Sequence, residues 1–158
     1  PKSAMRAATG RSNDRLYEAY TVTEIVEAYE AQAEATHAAI ESLVAYATKE
    51  GWNYVIEGYH ITPKLIAQLR ANGYSVSAVL LTITDPNAAI ERSRNSLTKS
   101  DWIRDATDNE VTYRKIQAGL TLHSQRVVEQ ARQFGLSSYD VSGLHEAPVA
   151  HIKERLLN

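Results

Sequence analysis

Two residues capable of acid–base chemistry lie at and just beyond the end of a short β-rich run at residues 53–57. Glu57 ends the run, Gly58 lets the chain turn, and His60 comes three residues after the glutamate. A carboxylate at the end of a buried strand can accept a proton from a substrate hydroxyl or hold a metal-bound water. The imidazole of His60 can donate to a phosphate or a hydroxyl group. A second interpretation stays open, in which Glu57 caps a neighbouring helix and His60 is a surface loop residue.

A second candidate site is basic and surrounds a polar stretch at residues 96–107. Arg92 and Arg94 precede this stretch, Arg104 lies within it, and Arg114 begins the next helical pattern. The planar fork of an arginine grips phosphate oxygens bidentately, so these side chains could hold the charge of a phosphate. Acidic residues occur among them, and the alternative of solvated surface arginines therefore stays open.

The elements that must position these residues alternate between helix and strand. Apolar residues recur at helical spacing from Val22 to Ala47, after a Thr21-Val22-Thr23-Glu24 capping-box sequence and before Gly51. We predict strands at residues 53–57, 77–84 and 137–141, and helices at residues 4–8, 22–49, 63–72, from 86, 108–134 and 146–157.

This alternation favours a parallel sheet, whose ligands bind beyond the carboxyl ends of the strands. The rule selects three short segments, residues 57–60, 84–85 and 140–142. Each of them contains polar or charged side chains, as loops generally do. We therefore expect a binding site at this edge of the sheet.

The length fits one domain spanning residues 1–158, which the alternation of elements predicts to be α/β, and the composition is that of a soluble globular protein. A net charge of −2, from 17 basic and 19 acidic side chains, does not favour nucleic acid or an anionic membrane as the partner. The absence of cysteine excludes a disulfide framework, a thiolate zinc site and a cysteine nucleophile. No apolar run approaches the ~20 residues of a membrane span, so we expect a cytoplasmic protein.

The sequence Ile-Glu-Gly-Tyr-His-Ile-Thr-Pro at residues 56–63 resembles the third-strand region of 2-phosphoglycerate-kinase-like P-loop kinases. Residues 38–50 resemble the helix before that strand. Residues 72–83 resemble the next crossover and strand, which also occur in zeta-toxin-type kinases, and residues 113–117 resemble the helix after the lid. The resemblance implies a three-layer α/β/α fold with a parallel sheet. It also implies transfer of the terminal phosphoryl group of ATP, with Mg²⁺, to a small hydroxylated or phosphorylated acceptor.

The resemblance implies a role for each candidate residue. Glu57 would be the base or the ligand of a metal-bound water, and Arg92 and Arg94 would stabilise the phosphoryl charge from a lid at about residues 95–107. The residues that would contact the substrate are Arg6, Asp14, His60, Arg104 and Arg114.

The sequence departs from this family at the loop that binds the nucleotide phosphates. The fingerprint Gly-x-x-x-x-Gly-Lys-Ser/Thr is absent, and no Gly-Lys pair occurs. In the family this loop follows a central strand between those predicted here at residues 53–57 and 77–84. We expect a fold incomplete at its N-terminus, in which the two strands pair directly, another chain fills the gap, or residues preceding Pro1 supply the missing strand. The chain as given is expected to be inactive and not to bind ATP in the usual way.

Two further functions follow from the same residues. The chain could be a non-catalytic module derived from a kinase, which binds a partner or forms a homo-oligomer through its open strand edges. It could also belong to a kinase of polynucleotide 5′ ends, which would bind short nucleic acids in a salt-dependent manner.

Overall fold

A computed structural model of the protein describes residues 13–95, 107 and 109–143. The elements in chain order are α1 (Asn13–Ala19), α2 (Val22–Glu50), α3 (Pro63–Ala71), β1 (Leu80–Thr82), α4 (Pro86–Asn95), α5 (Glu110–Gln133) and β2 (Ser138–Asp140). The predicted helices at residues 4–8 and 146–157 lie outside the described residues, as do Arg6 and Arg104. None of the described helices is both long enough and apolar enough to cross a membrane.

The long helix α2 is fixed at both ends by local interactions. The hydroxyl of Thr21 accepts a hydrogen bond from the backbone N–H of Glu24, while the Glu24 carboxylate accepts one from the backbone N–H of Thr21 at 2.8 Å. The helix ends at Gly51, whose φ of 67° lies in the left-handed region that favours glycine. The predicted helix at residues 22–49 is therefore confirmed.

We expect Thr21→Ala to lower the free energy of unfolding by about 1 kcal/mol, because it removes the side-chain cap of α2. Urea denaturation checks this value, and Thr23→Ala is the control because Thr23 is also exposed in the first turn but does not cap the helix. Equal losses in the two variants would contradict the capping role.

Strands β1 and β2 form a parallel two-stranded sheet. Leu80 pairs with Ser138 and Thr82 with Asp140, and the backbone N–H of Val141 donates to the carbonyl oxygen of Thr82 at 2.8 Å. The chain between the strands carries α4 and α5, so the domain is mixed α/β. The strand predicted at residues 77–84 is confirmed only at Leu80–Thr82, the part that pairs with β2.

The prediction of a buried strand at residues 53–57 is wrong, because the segment is neither helix nor strand in the described structure. Glu57 and Tyr54 are exposed, and the side chain of Val55 is 94% exposed. The backbone groups of this segment form no hydrogen bond with any described residue, so direct pairing with β1 is also absent. Strand propensity reflects packing and pairing with neighbours, which these residues lack here.

Two apolar clusters hold the helices and the sheet together. Leu16, Tyr17, Ile25 and Ile116 join α1, α2 and α5. Ile66, Leu80 and Ala131 join α3, β1 and α5. The helix α5 takes part in both clusters, so it fixes the small sheet relative to the helices.

Candidate functional site

The carboxyl ends of β1 and β2 share a polar cluster centred on Asp140. Its carboxylate accepts hydrogen bonds from the hydroxyl of Ser142 at 2.6 Å, from the backbone N–H of Ser142 at 2.8 Å and from the hydroxyl of Thr84. The Ser142 hydroxyl oxygen in turn accepts from the backbone N–H groups of Thr84 and Asp85, each at 2.9 Å. The cluster therefore fixes the loop after β1 to the loop after β2, at the edge where ligands of parallel sheets bind.

Hydrogen bonds from the side chains of Ser142 and Thr84 lower the pKa of Asp140 from 3.8 to about 2. These donors favour the charged form of the carboxylate. Because the folded pKa is depressed, the stabilisation is present above pH 3.8 and is lost as the pH falls toward about 2. Asp140 is therefore expected to carry its charge at neutral pH.

In an NMR titration, the Asp140 carboxyl carbon should have a midpoint near 2. Ser142→Ala should raise that midpoint, because it removes the largest cause of the depressed pKa. An unchanged midpoint in Ser142→Ala would show that the serine hydroxyl does not stabilise the carboxylate.

A cleft of about 420 Å³ lies between α4 and α5. Its lining residues are Asn87, Ile90, Glu91, Glu110, Arg114 and Gln117. Asn87 is two residues from Asp85, so the cleft begins beside the polar cluster. The Nε atom of Arg114 lies 3.6 Å from a carboxylate oxygen of Glu110, and 76% of the arginine side chain is exposed. An arginine so weakly held can turn toward an anion.

Of the predicted phosphate-binding arginines, only Arg114 has a described side chain. Arg92 and Arg94 lie in α4, which forms one wall of the cleft, but their side chains lie outside the described part of the structure. The lid predicted at residues 95–107 also lies almost wholly outside it, with Thr107 described and buried.

Glu57 and His60 belong to a separate part of the surface. The exposed carboxylate of Glu57 forms no hydrogen bond or ion pair with any described residue. The ring of His60 stacks on Tyr59 with 3.9 Å between centroids, and Tyr59 contacts Tyr29 of α2 edge-on at 5.4 Å. No described contact connects this loop with the cleft between α4 and α5.

Asp14, predicted to contact the acceptor, has a structural partner. Its carboxylate accepts a hydrogen bond from the hydroxyl of Thr107, and that hydroxyl oxygen accepts one from the backbone N–H of Asn109 at 2.9 Å. Thr107 is buried, and Asn109 caps α5. Asp14 therefore connects α1 to the start of α5, a contact that the prediction of an acceptor-side base did not foresee.

The sequence interpretation missed a charged cluster between α2 and α5. Arg126 donates to Glu30 at 2.6 Å and lies 3.8 Å from Glu27, and the Nδ1 atom of His123 is 4.0 Å from Glu30. Burial lowers the pKa of His123 below its ordinary value. Glu27 and Glu30, like His123 and Arg126, are three residues apart and share a helix face, so the sequence indicates a charged face on each helix but not that the two faces meet.

Comparisons with models of protein families, with curated proteins and with solved structures find no match for this chain. The described residues contain no group of three or more His, Cys, Asp or Glu side chains placed to hold a metal ion. Because the sequence also lacks a Gly-Lys pair, the residues present do not form a usual site for ATP and its Mg²⁺.

Proposed function

We propose that this chain is the acceptor-binding and lid portion of a phosphotransferase of the P-loop kinase type, with a three-layer α/β/α arrangement. The observation that carries the proposal is the cleft between α4 and α5, which is lined by Arg114 and by Asn87, whose backbone N–H donates to Asp85 in the loop after β1. The acceptor is a small molecule that bears a phosphate group.

The topology supports this location for the acceptor. Neighbouring parallel strands are joined through α4 and α5, and their carboxyl ends carry the cluster of Thr84, Asp140 and Ser142. Crevices at the carboxyl ends of parallel strands are where ligands of open α/β sheets bind. The basic residues of the crossover, Arg92, Arg94 and Arg114, are on the two helices that flank such a crevice.

The chemistry of the cleft determines what can bind. Arg114 can give two parallel hydrogen bonds to a phosphate, which is a stronger and more specific contact than its 3.6 Å approach to Glu110. Glu91 and Glu110 line the same cleft and repel an anion. A bound phosphate must therefore draw Arg114 away from Glu110, and the arginine becomes the main determinant of affinity.

Glu57 remains the predicted base of the reaction, and this role requires a neighbouring strand that seats residues 53–57 in a sheet. The exposed position of the carboxylate in the described structure does not support the role by itself. His60, three residues later, remains a predicted acceptor contact on the same condition.

Calorimetric titration with 2-phosphoglycerate and with inorganic phosphate tests the proposal. We expect saturable binding of the phosphorylated acid and at least a tenfold loss of affinity, about 1.4 kcal/mol, in Arg114→Ala. Arg132→Ala is the matched control, because Arg132 is exposed in the last turn of α5 and does not line the cleft. Absence of binding, or equal losses in both variants, would contradict an acceptor site in this cleft.

The second candidate is a non-catalytic binding or oligomerisation module. It is favoured by one observation, the exposed and unpaired segment at residues 53–57. Unpaired backbone groups in an extended segment of strand-like composition can pair with another chain, as those of an edge strand do. A chain of this class would associate through the segment and would not bind phosphate-bearing acceptors in the cleft.

A further inference from the structure

An exposed apolar strip runs from the end of α2 into the segment that follows it. We define the strip by Tyr46, Trp52 and Tyr54, whose side chains are about half exposed, and the next residue, Val55, is 94% exposed. The rings form a connected row, with centroids 5.6 Å apart from Tyr46 to Trp52 and 6.1 Å apart from Trp52 to Tyr54. Contiguous apolar surface of this kind marks an interaction site more often than singly scattered residues do.

The backbone beside the strip is also unpartnered. Residues 53–57 form no backbone hydrogen bond with any described residue, although their composition favours a β-strand. Unpaired N–H and C=O groups along an edge are satisfied by another segment that lies alongside in the β conformation. A strand is the occupant that such backbone groups and this composition favour.

The sequence of this segment is complementary to itself. In an antiparallel pair of two copies centred on Val55, each Tyr54 lies opposite Ile56 and each Asn53 lies opposite Glu57. Aromatic residues opposite β-branched ones stabilise such pairs, and the asparagine keeps the two glutamates from facing each other. Trp52 then lies opposite Gly58, where the missing side chain leaves room for the indole ring.

We propose that a second copy of this chain pairs with the first, with residues 53–57 of the two copies forming antiparallel strands about a twofold axis at Val55. The pairing satisfies the backbone groups of both segments and places Tyr54 of each copy beside Ile56 of the other on one face of the two-stranded sheet. A contact made by one pair of short strands gives a reversible dimer rather than a permanent one.

This dimer does not depend on phosphate binding in the cleft between α4 and α5. It would turn residues 53–57 into a strand without bringing Glu57 to that cleft. A calorimetric titration that shows no binding would contradict the acceptor site but not the dimer. A chain that is monomeric in solution would contradict the dimer but not the acceptor site.

Sedimentation equilibrium of the whole chain tests the proposal. We expect a monomer–dimer equilibrium, with a dissociation constant raised at least tenfold in Val55→Lys, because two ammonium groups would face each other across the axis. Val111→Lys is the control, since Val111 is 61% exposed on α5, away from the strip. A monomer at every concentration, or equal effects of the two substitutions, would contradict dimerisation through residues 53–57.

The absence of cysteine allows a second test that does not depend on affinity. A Val55→Cys variant carries a single thiol at the proposed axis, where its copy in the second chain lies within reach of a disulfide bond. Mild oxidation should convert Val55→Cys to a covalent dimer much faster than it converts Val111→Cys. Equal rates of cross-linking would overturn the proposed register even if the protein is dimeric.

Discussion

Replacing Ile66 with alanine is expected to lower the free energy of unfolding by about 2–5 kcal/mol. The side chain is 2% exposed and packs with Leu80 of β1 and Ala131 of α5. Truncation removes its transfer free energy and leaves a cavity that surrounding helices only partly fill. This contact joins α3 to the sheet and to α5.

Urea or thermal denaturation measures the loss, and Val111→Ala is the control. Val111 is 61% exposed, so its truncation should change the free energy of unfolding by no more than about 0.5 kcal/mol. An Ile66→Ala variant as stable as the control would mean that α3 does not dock on the sheet as described.

Replacing Arg126 with methionine is expected to cost about 1–3 kcal/mol of stability. Its guanidinium donates to Glu30 at 2.6 Å, and less than a third of either side chain is exposed. The substitution keeps most of the apolar stem but leaves Glu30 without its cation, beside the carboxylate of Glu27. A partly buried charge that loses its partner retains the cost of desolvation.

Lys64→Met provides the matched control for this ion pair. Lys64 and Glu34 are 2.7 Å apart, nearly the same distance, but both side chains are 57% exposed. An exposed pair contributes about 0–1 kcal/mol, so this substitution should be much milder. Adding Glu30→Gln to Arg126→Met should recover part of the lost stability, because it removes the unpaired charge. Equal losses of stability in Lys64→Met and Arg126→Met would show that burial does not decide the strength of these pairs.

The helices could be predicted from the sequence because their signals are local. The periodic apolar residues of α2, the capping pair Thr21 and Glu24, and Gly51 all lie within the element that they define. The same holds for α3, where Pro63 occupies the first helical position and Thr62 is the N-cap. A helix satisfies its backbone within its own segment, so a short window of sequence contains what is needed.

The structure of residues 53–57 could not be predicted from local sequence signals. Its composition is that of a strand, yet a strand exists only where a second segment pairs with it. The strand at Leu80–Thr82 forms because Ser138–Asp140, more than fifty residues later, lies alongside. The sequence alone does not show whether such a partner is present.

The candidate site was predictable in part. Ligands of parallel sheets bind beyond the carboxyl ends of the strands, and this rule selected residues 84–85 and 140–142. These residues form the cluster around Asp140. The link between Asp14 and Thr107 and the pair of Glu30 with Arg126 each join residues more than ninety positions apart. They depend on how α1 and α2 pack on α5, which periodicity within one helix does not determine.

The most direct test of the acceptor site is an NMR titration of the whole chain with 2-phosphoglycerate. We expect saturable amide shifts at Asn87, Glu91, Arg114 and Gln117, together with the loops that hold Thr84 and Ser142. In Arg114→Ala the same shifts should need at least ten times more ligand. Saturable shifts confined to another part of the chain, or no shifts at millimolar ligand, would contradict an acceptor site in this cleft.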